Sequence, residues 1–201
     1  MTSTAHALIA ELDVAISNAS VARQAKILQS VTDLFLDSSM RFSDEQVAVF
    51  DDVIRRLMEK ADNTALIKLS ARLASIGNPP THVIVSLAQD DDIAVSGPIL
   101  QSSAALPDKT VAEIASVKGP KHLAAIAGRR RINEIITDIL VDRGNPDVSY
   151  KIVANPEARL SEIGFVKLIN RAKTDKTLAA AIAGRNDLPE ELLPFLKLAL
   201  G

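Results

Sequence analysis

Several residue types that support particular chemistries are scarce or missing from this sequence. Its 201 residues include no cysteine and no tryptophan, one tyrosine, and aromatic residues make up only 3%. The lack of cysteine excludes disulfides, thiol catalysis and thiolate zinc sites, and is compatible with a reducing compartment. Proteins that bind single-stranded nucleic acid by stacking use exposed aromatic rings, and this chain offers few.

Long apolar runs and targeting signals are also missing. No segment approaches the roughly 18 apolar residues of a membrane span. Near the N-terminus, Glu11 and Asp13 lie where a signal peptide would need an apolar run. We therefore expect a cytoplasmic protein that does not insert into a membrane.

Recognisable catalytic and metal-binding patterns are absent as well. His6, His82 and His122 are far apart and lack a second histidine at ligand spacing, so we expect them at the surface or at helix ends. The carboxylates of Asp90 to Asp92 are better suited to capping a helix than to binding a cation, because further calcium ligands do not follow. No glycine-rich phosphate loop or nucleophile elbow is present. The sequence predicts no enzyme activity, no cofactor and no metal.

A repeated hexapeptide is the most informative feature that is present. Ala-Ala-Ile-Ala-Gly-Arg occurs at 124–129 and at 180–185, and degenerate copies give a period of about 25 to 30 residues. The units align on a small residue that would close a first helix and let it pack closely: Ser75, Ser102, Ala127, Ala154 and Ala183. Nine positions later stand Ile84, Val111, Ile136, Ile163 and Leu192, and twelve positions later Leu87, Ile114, Ile139, Val166 and Phe195. These two columns are predicted to form one buried face of a second helix.

Turn and cap residues support this division into two short helices. The residue after each of the last three anchors is of a type that tolerates the left-handed conformation at a helix end: Gly128, Asn155 and Gly184. Asn78-Pro79 and Asn145-Pro146 predict helix starts. Pro98 should kink the first helix of the second unit or delay its start.

The N-terminal part contains longer helical patterns. Helices are predicted over Thr4–Ile16 and from near Ser20 to Asp37. A third begins after Ser43, which can form a capping box with Gln46. Its buried stripe would be Val47, Phe50, Ile54 and Leu57, and its solvent face would carry Asp51, Asp52, Arg55, Arg56, Glu59 and Lys60.

These patterns predict an all-α fold, namely a right-handed α-solenoid of short two-helix repeats, similar to HEAT repeats. Residues 1–62 would form an N-terminal helical cap and residues 63–201 the repeats, packed as one continuous elongated domain. Apolar residues crowd the last predicted helix: Leu192, Leu193, Phe195, Leu196, Leu198 and Leu200. Terminal repeats normally show a polar outer face, so we expect this helix to be covered, by a homodimer or by residues beyond this sequence.

The charge distribution suggests a candidate binding surface. Residues 1–117 hold nine Lys and Arg against fifteen Asp and Glu, whereas residues 118–173 hold eleven against six. The candidate surface residues lie near turns that would stack on one edge: Lys121, Arg129, Arg130, Arg131, Lys151, Arg159 and Arg185. Such a stripe would attract an acidic protein or nucleic-acid phosphates. The alternative explanation is that basic residues near helix C-termini complement the helix dipole.

A combination of short motifs resembles a known family. The motifs are Val31-Thr32-Asp33-Leu34-Phe35, Phe42-Ser43-Asp44-Glu45-Gln46, Leu73-Ala74 with Asn78-Pro79-Pro80, Ile93 to Leu100 with Ser103, and Ala124-Ile126-Ala127-Arg129. From about Val21 to Leu196 the chain resembles an alphaproteobacterial family, domain of unknown function 2336, whose repeats are similar to HEAT and leucine-rich-repeat-variant solenoids. The resemblance implies an all-helical, bacterial, cytosolic protein and supplies no catalytic residues.

Helical repeats commonly serve as interaction scaffolds. We therefore predict a non-enzymatic scaffold that binds another protein through its repeat surface. The alternative function is nucleic-acid binding, to DNA, through the basic stripe at residues 118–173.

Overall fold

The computed structural model describes residues 20–200, apart from the side chains of Val21 and Met40. This range contains twelve α-helices and two short 3-10 helices, and within it the only β pairing is an isolated bridge between Ile132 and Ala158. The all-α prediction is confirmed for these residues. The predicted helix over Thr4–Ile16 and His6 lie outside the described residues. No helix of the described range has both the length and the apolar character needed to span a bilayer.

Internal contacts divide the chain into two compact units, and the first consists of residues up to Ile99 together with 103–106. Its helices are α1 (Val21–Ser38), α2 (Asp44–Met58), α3 (Asn63–Leu73), α4 (Thr81–Gln89) and the start of α5 (Ile93–Ser102). Helices α2 and α3 both pack against α1 and α4. The rings of Phe35, Phe42 and Phe50 cluster, with centroids 5.0 to 5.9 Å apart.

The second unit consists of residues 100–102 and those from Pro107 onward. Its helices are α6 (Asp108–Val117), α7 (Pro120–Ala127), α8 (Glu134–Arg143), α9 (Pro146–Ala154), α10 (Glu162–Ala172), α11 (Lys176–Ala183) and α12 (Leu193–Leu200). Helices α6, α8, α10 and α12 pack side by side in what we call the second-helix row. Helices α7, α9 and α11 form a parallel first-helix row, and the apolar core of this unit lies between the two rows. The predicted domain boundary between residues 62 and 63 stays a prediction.

Side-chain caps explain where most helices begin. Backbone N–H groups of the first turn donate to the side chains of Ser43, Asp62, Asp92, Asn133, Asn145, Ser161 and Asp175. The predicted capping box is confirmed, since Gln46 N–H donates to Ser43 Oγ and Ser43 N–H donates to Gln46 Oε1. Asp92 caps α5 by accepting from Ala94 N–H at 2.9 Å. The cap interpretation of the acidic cluster is therefore confirmed for Asp92.

Two predictions about helix starts are wrong. Asn78 does not cap a helix, because α4 begins only at Thr81. Pro79 itself precedes a proline, and a residue before proline disfavours the helical conformation. Pro98 does not delay α5, which begins at Ile93 and continues through Pro98 to Ser102. The other expected effect, a kink at Pro98, stays a prediction.

Asp51 was predicted to be solvent-exposed, and this prediction is wrong. The residue is only 6% exposed. Its carboxylate accepts from the backbone N–H groups of Val83, at 2.8 Å, and of His82, at 3.2 Å, and its Oδ2 lies 2.5 Å from His82 Nδ1. Since Pro80, the N-cap residue of α4, makes no side-chain cap bond, α2 supplies the cap of α4 through Asp51.

The prediction of left-handed turns is also wrong. No residue between 20 and 200 has a positive φ. The φ angles are −80° at Gly128, −94° at Asn155 and −79° at Gly184. At Gly128 the absence of a side chain instead lets the Gln101 side chain pack closely against the backbone. A Cβ there would lie 3.2 Å from the carbonyl oxygen of Ala125 and 3.4 Å from the Gln101 side chain.

The anchors lie at helix ends as predicted, but they are mostly not buried. Helices α5, α7, α9 and α11 end at Ser102, Ala127, Ala154 and Ala183, whereas α3 ends at Leu73, before Ser75. Of the five anchors only Ala127 is buried. The expectation that small anchors let neighbouring helices pack closely is therefore wrong for the other four.

The residues nine and twelve positions after each anchor are buried in the first units, as predicted, but several of them are exposed in the later units. Buried members are Ile84, Leu87, Val111, Ile114, Ile136 and Leu192, while Ile139 is half-buried and Ile163, Val166 and Phe195 are exposed. The cap of α10, Ser161, lies seven residues after the anchor Ala154. The cap of α8, Asn133, lies only six residues after the anchor Ala127. Ile163 consequently matches Ile135, the exposed second residue of α8.

Candidate functional site

Basic side chains of the second unit bond to helix ends of the preceding helix pair. Five of them donate to main-chain carbonyls 27 to 33 residues earlier: Arg129 to Leu100, Arg143 to Ala115, Lys151 to Ala124, Arg171 to Val141, and Arg185 to Ile152 and Val153. All of these carbonyls lie in the last turn of a helix, where they have no partner within the helix. The cations therefore donate to carbonyls at helix ends, of which that of Ile152 also accepts from Asn155 N–H at 3.2 Å. These bonds support the dipole interpretation of this basic segment.

Arg185 makes the largest set of such bonds. Its guanidinium also donates to the carbonyls of Asn155, at 2.9 Å, and Ala158, at 2.8 Å. An ion pair of 2.7 Å joins it to Asp187, and its side chain is only 5% exposed. It also lies 5.8 Å from the ring centroid of Phe165. The side chain is thus part of the interior and is not available as a surface charge.

Arg129 has the same position in the first copy of the hexapeptide. It is 8% exposed, and its Nη1 donates to the carbonyl of Leu100 at 2.7 Å. Burial lowers the pKa of Arg129 from its ordinary value, while the nearby carboxylate of Asp108 opposes this change. The group stays charged, because arginine does not lose its proton in proteins.

The other five predicted residues lie at the surface, and two of them bond to neighbouring groups. Lys121, Arg130 and Arg159 are exposed. Arg131 Nε lies 3.4 Å from Glu157 Oε2, and Lys151 Nζ donates to the carbonyl of Ala124 at 2.9 Å. Of the seven predicted residues, Arg129 and Arg185 therefore lie inside the protein, and Lys151 and Arg131 already have partners.

The histidines and carboxylates of residues 20–200 do not assemble a metal site. His82 is exposed at the start of α4 and bonds to Asp51. His122 lies in the first turn of α7, which agrees with the expected helix-end position, but it is buried there, at 7% exposure. Its position on the inner face of a short amphipathic helix explains its burial.

The second-helix row carries the larger exposed apolar side chains of this unit. They are Val117 on α6, Ile135 on α8, Ile163 and Val166 on α10, and Leu193, Phe195, Leu198 and Leu200 on α12. Between α6 and α8 lies a groove of about 600 Å³ lined by Ala112, Val117, Ile135 and Ile136, with Asp108, Lys109 and Glu113 among its polar residues. A second groove, of about 290 Å³, is lined by Val166, Ile169, Leu192, Phe195 and Leu198. These apolar grooves are the candidate functional surface.

Sequence reasoning identified the apolar residues of α12 but missed the exposed residues of α6, α8 and α10, although one signal was present. Ile135 and Ile163 both stand two residues after a helix cap, Asn133 or Ser161, and are 69% and 63% exposed. A large aliphatic residue at an exposed position that recurs between repeats is unusual for a face that only contacts water. Alignment on the caps, in place of the anchors, would have revealed the recurrence.

Comparison with known proteins gives one family and no annotated function. A family described as an uncharacterised protein conserved in bacteria (DUF2336) matches residues 95–196, which is half of the chain. No curated protein and no solved structure matches the chain.

Proposed function

Since the chain belongs to this uncharacterised bacterial family, whose description assigns no activity, we propose that it is a non-enzymatic scaffold that binds another protein through the second-helix row. The observation that carries the proposal is the recurrence of exposed aliphatic residues on that row, above all Ile135 and Ile163. Exposed apolar patches on a helical surface are typical of protein interaction sites.

The nucleic-acid alternative has less support from the contacts. Phosphate binding needs cations whose N–H groups face solvent. The donors of Arg129 and Arg185 are directed to main-chain carbonyls, and Lys151 also donates to one. An acidic partner at the same stripe is disfavoured for the same reason. Lys121, Arg130 and Arg159 remain for either ligand.

Site-specific photo-crosslinking in cells distinguishes the two functions. A benzophenone amino acid would replace Ile135, Ile163 or Leu198 on the second-helix row, or Lys121 on the basic side as the matched position. The scaffold predicts protein adducts at the row positions that persist after nuclease treatment. Adducts confined to Lys121 that nuclease removes would favour nucleic-acid binding and contradict the scaffold.

We also propose that the five helix pairs, from α3 with α4 to α11 with α12, stack as one right-handed solenoid similar to HEAT repeats. The recurring caps and the repeat-spaced cation bonds support this proposal. Small-angle scattering should give a radius of gyration clearly above that of a sphere of the same mass, and a value equal to a sphere would contradict it. The cytoplasmic location stays a prediction.

A further inference from the structure

The groove between α6 and α8 combines apolar anchor points with negative charge. Val117 and Ile135 line it and are 74% and 69% exposed. The charged residues that line it are Asp108, Lys109 and Glu113, and Glu134 lies next to Ile135 in sequence. The other acidic residues of α8, Asp138 and Asp142, bond to Ser161 and Lys167 instead and do not line the groove.

The basic residues of these two helices do little to offset that charge at the groove. Arg143 donates to the carbonyl of Ala115 and is thus directed toward the main chain. Lys109 Nζ lies 3.9 Å from Glu113 Oε1, a loose surface pair. Glu134 precedes Ile135 directly, is exposed, and makes no ion pair among residues 20–200. A ligand in this groove therefore meets apolar contacts between carboxylates.

The shape of the groove selects a class of ligand. Two helices that pack side by side leave between them a channel that accepts a third helix by its apolar face. Each of α6 and α8 has 10 residues, so the channel is about 15 Å long and matches three turns of a partner helix. The apolar side chains of such a partner helix would recur at helical spacing, and the residues on either side of this apolar stripe would face the carboxylates.

We propose that the α6/α8 groove binds an amphipathic helix of a partner protein whose apolar stripe is bordered by lysine or arginine residues. This inference rests on the proposed scaffold function and specifies its partner by chemistry. Apolar contact with Val117 and Ile135 supplies the affinity, and attraction to Glu113 and Glu134 accelerates association and rejects acidic helices.

The test uses a defined peptide and the full chain. The probe is a fluorescent 18-residue helix with leucines at i, i+3, i+4 and i+7 spacing and lysines elsewhere, and its comparison peptide has glutamate in place of every lysine. Fluorescence anisotropy at physiological salt should give at least about tenfold tighter binding of the lysine peptide. Equal binding of both peptides, or no binding of the lysine peptide at millimolar protein, overturns the proposal.

Variants locate the binding to the groove, and each has a matched control. Val117→Ser with Ile135→Ser should weaken binding at least about tenfold, whereas Val49→Ser, which changes a valine that is 57% exposed on α2, should leave it unchanged. Glu113→Gln with Glu134→Gln should weaken binding and flatten its salt dependence, whereas Glu162→Gln, the first residue of α10, should not. Circular dichroism checks that every variant is folded. An equal effect of Val49→Ser and the double serine variant contradicts the assignment to this groove.

The outcome is separable from that of the scaffold itself. Nuclease-resistant crosslinks at the second-helix row together with failure of the lysine peptide would leave the scaffold standing and refute the partner chemistry. Absence of crosslinks at every row position would refute both.

Discussion

At the scale of single residues, the guanidinium of Arg185 donates hydrogen bonds to several main-chain carbonyls of the second unit and to Asp187. We predict that Arg185→Met lowers the free energy of unfolding by about 3 kcal/mol, because several carbonyls lose their donor inside the protein. Urea unfolding measures the change. Arg130→Met is the matched control, since Arg130 is exposed and its removal should change the free energy by less than about 0.5 kcal/mol. Equal effects of the two variants would contradict a structural role for Arg185.

The hydrogen bond between Tyr150 and Asp175 shifts the pKa of both side chains. Tyr150 Oη donates to both carboxylate oxygens of Asp175, at 2.7 and 2.6 Å. This bond, helped by the N–H of Leu178, lowers the pKa of Asp175 below its ordinary 3.8. The same bond raises the pKa of Tyr150 above its ordinary 10.0, because it holds the proton on the phenol.

These two directions predict a pH-dependent difference between the wild type and Tyr150→Phe. The depressed pKa of Asp175 contributes stability above pH 3.8 that is lost as the pH falls through its folded pKa. The raised pKa of Tyr150 contributes stability below pH 10.0 that is lost as the pH rises through its folded pKa. Thermal melts should therefore differ most at neutral pH and converge in strong acid and strong base. A difference that does not vary with pH would show that the bond is not responsible.

At the scale of elements, the one-residue register change between α8 and α10 has a measurable consequence. Ile136→Asp should destabilise the protein by several kcal/mol, because it buries an unpaired charge at a position that is 1% exposed. Ile163→Asp should have little effect, because Ile163 is 63% exposed. Differential scanning calorimetry compares the two melting temperatures. Similar decreases in melting temperature in both variants would contradict this register change and favour the sequence-based alignment, in which both residues are buried.

The cap that α2 supplies to α4 predicts that variants of the adjacent residues Asp51 and Asp52 differ in stability. Asp51→Ala should cost about 2 kcal/mol, because two N–H groups in the first turn of α4 lose their acceptor. Asp52→Ala is the matched control. Asp52 makes only surface ion pairs with Arg55 and Arg56, at 3.3 and 3.1 Å, so its loss should cost about 0.5 kcal/mol or less. Urea unfolding that ranks the two variants in the opposite order would contradict the cap.

At the scale of the whole molecule, the exposed apolar side chains of α12 predict self-association. Phe195 and Leu198 are 56% and 80% exposed beside the α10/α12 groove. We expect the chain to form a concentration-dependent dimer, and Phe195→Ser with Leu198→Ser to shift it toward monomer. Leu34→Ser, which changes an isolated leucine that is 61% exposed on α1, should leave the equilibrium unchanged. Sedimentation equilibrium measures both variants, and a wild-type chain that stays monomeric at high concentration would contradict the prediction.

The sequence by itself determined the helices, most of their starts and the two-helix units of the described chain. These features depend on contacts within a few residues. The box of Ser43 and Gln46, the Asn145-Pro146 start and the ends of α7 and α11 at the repeated hexapeptide could all be read from local patterns. Local order of this kind is encoded by neighbouring side chains that cap the first turn or stop the helix.

Only the tertiary structure decided the burial of several polar side chains and the exposure of Ile163. Asp51 is buried because α4, more than 30 residues away in sequence, presents N–H groups to it. Arg129 and Arg185 are interior because carbonyls of the preceding helix pair lie within reach of them, and one extra residue before Ser161 turns Ile163 outward. Each outcome depends on groups brought together by packing. Residue type and spacing therefore indicated a basic stripe, whereas the geometry of the folded units turned Arg129 and Arg185 inward and left an apolar, acidic groove exposed.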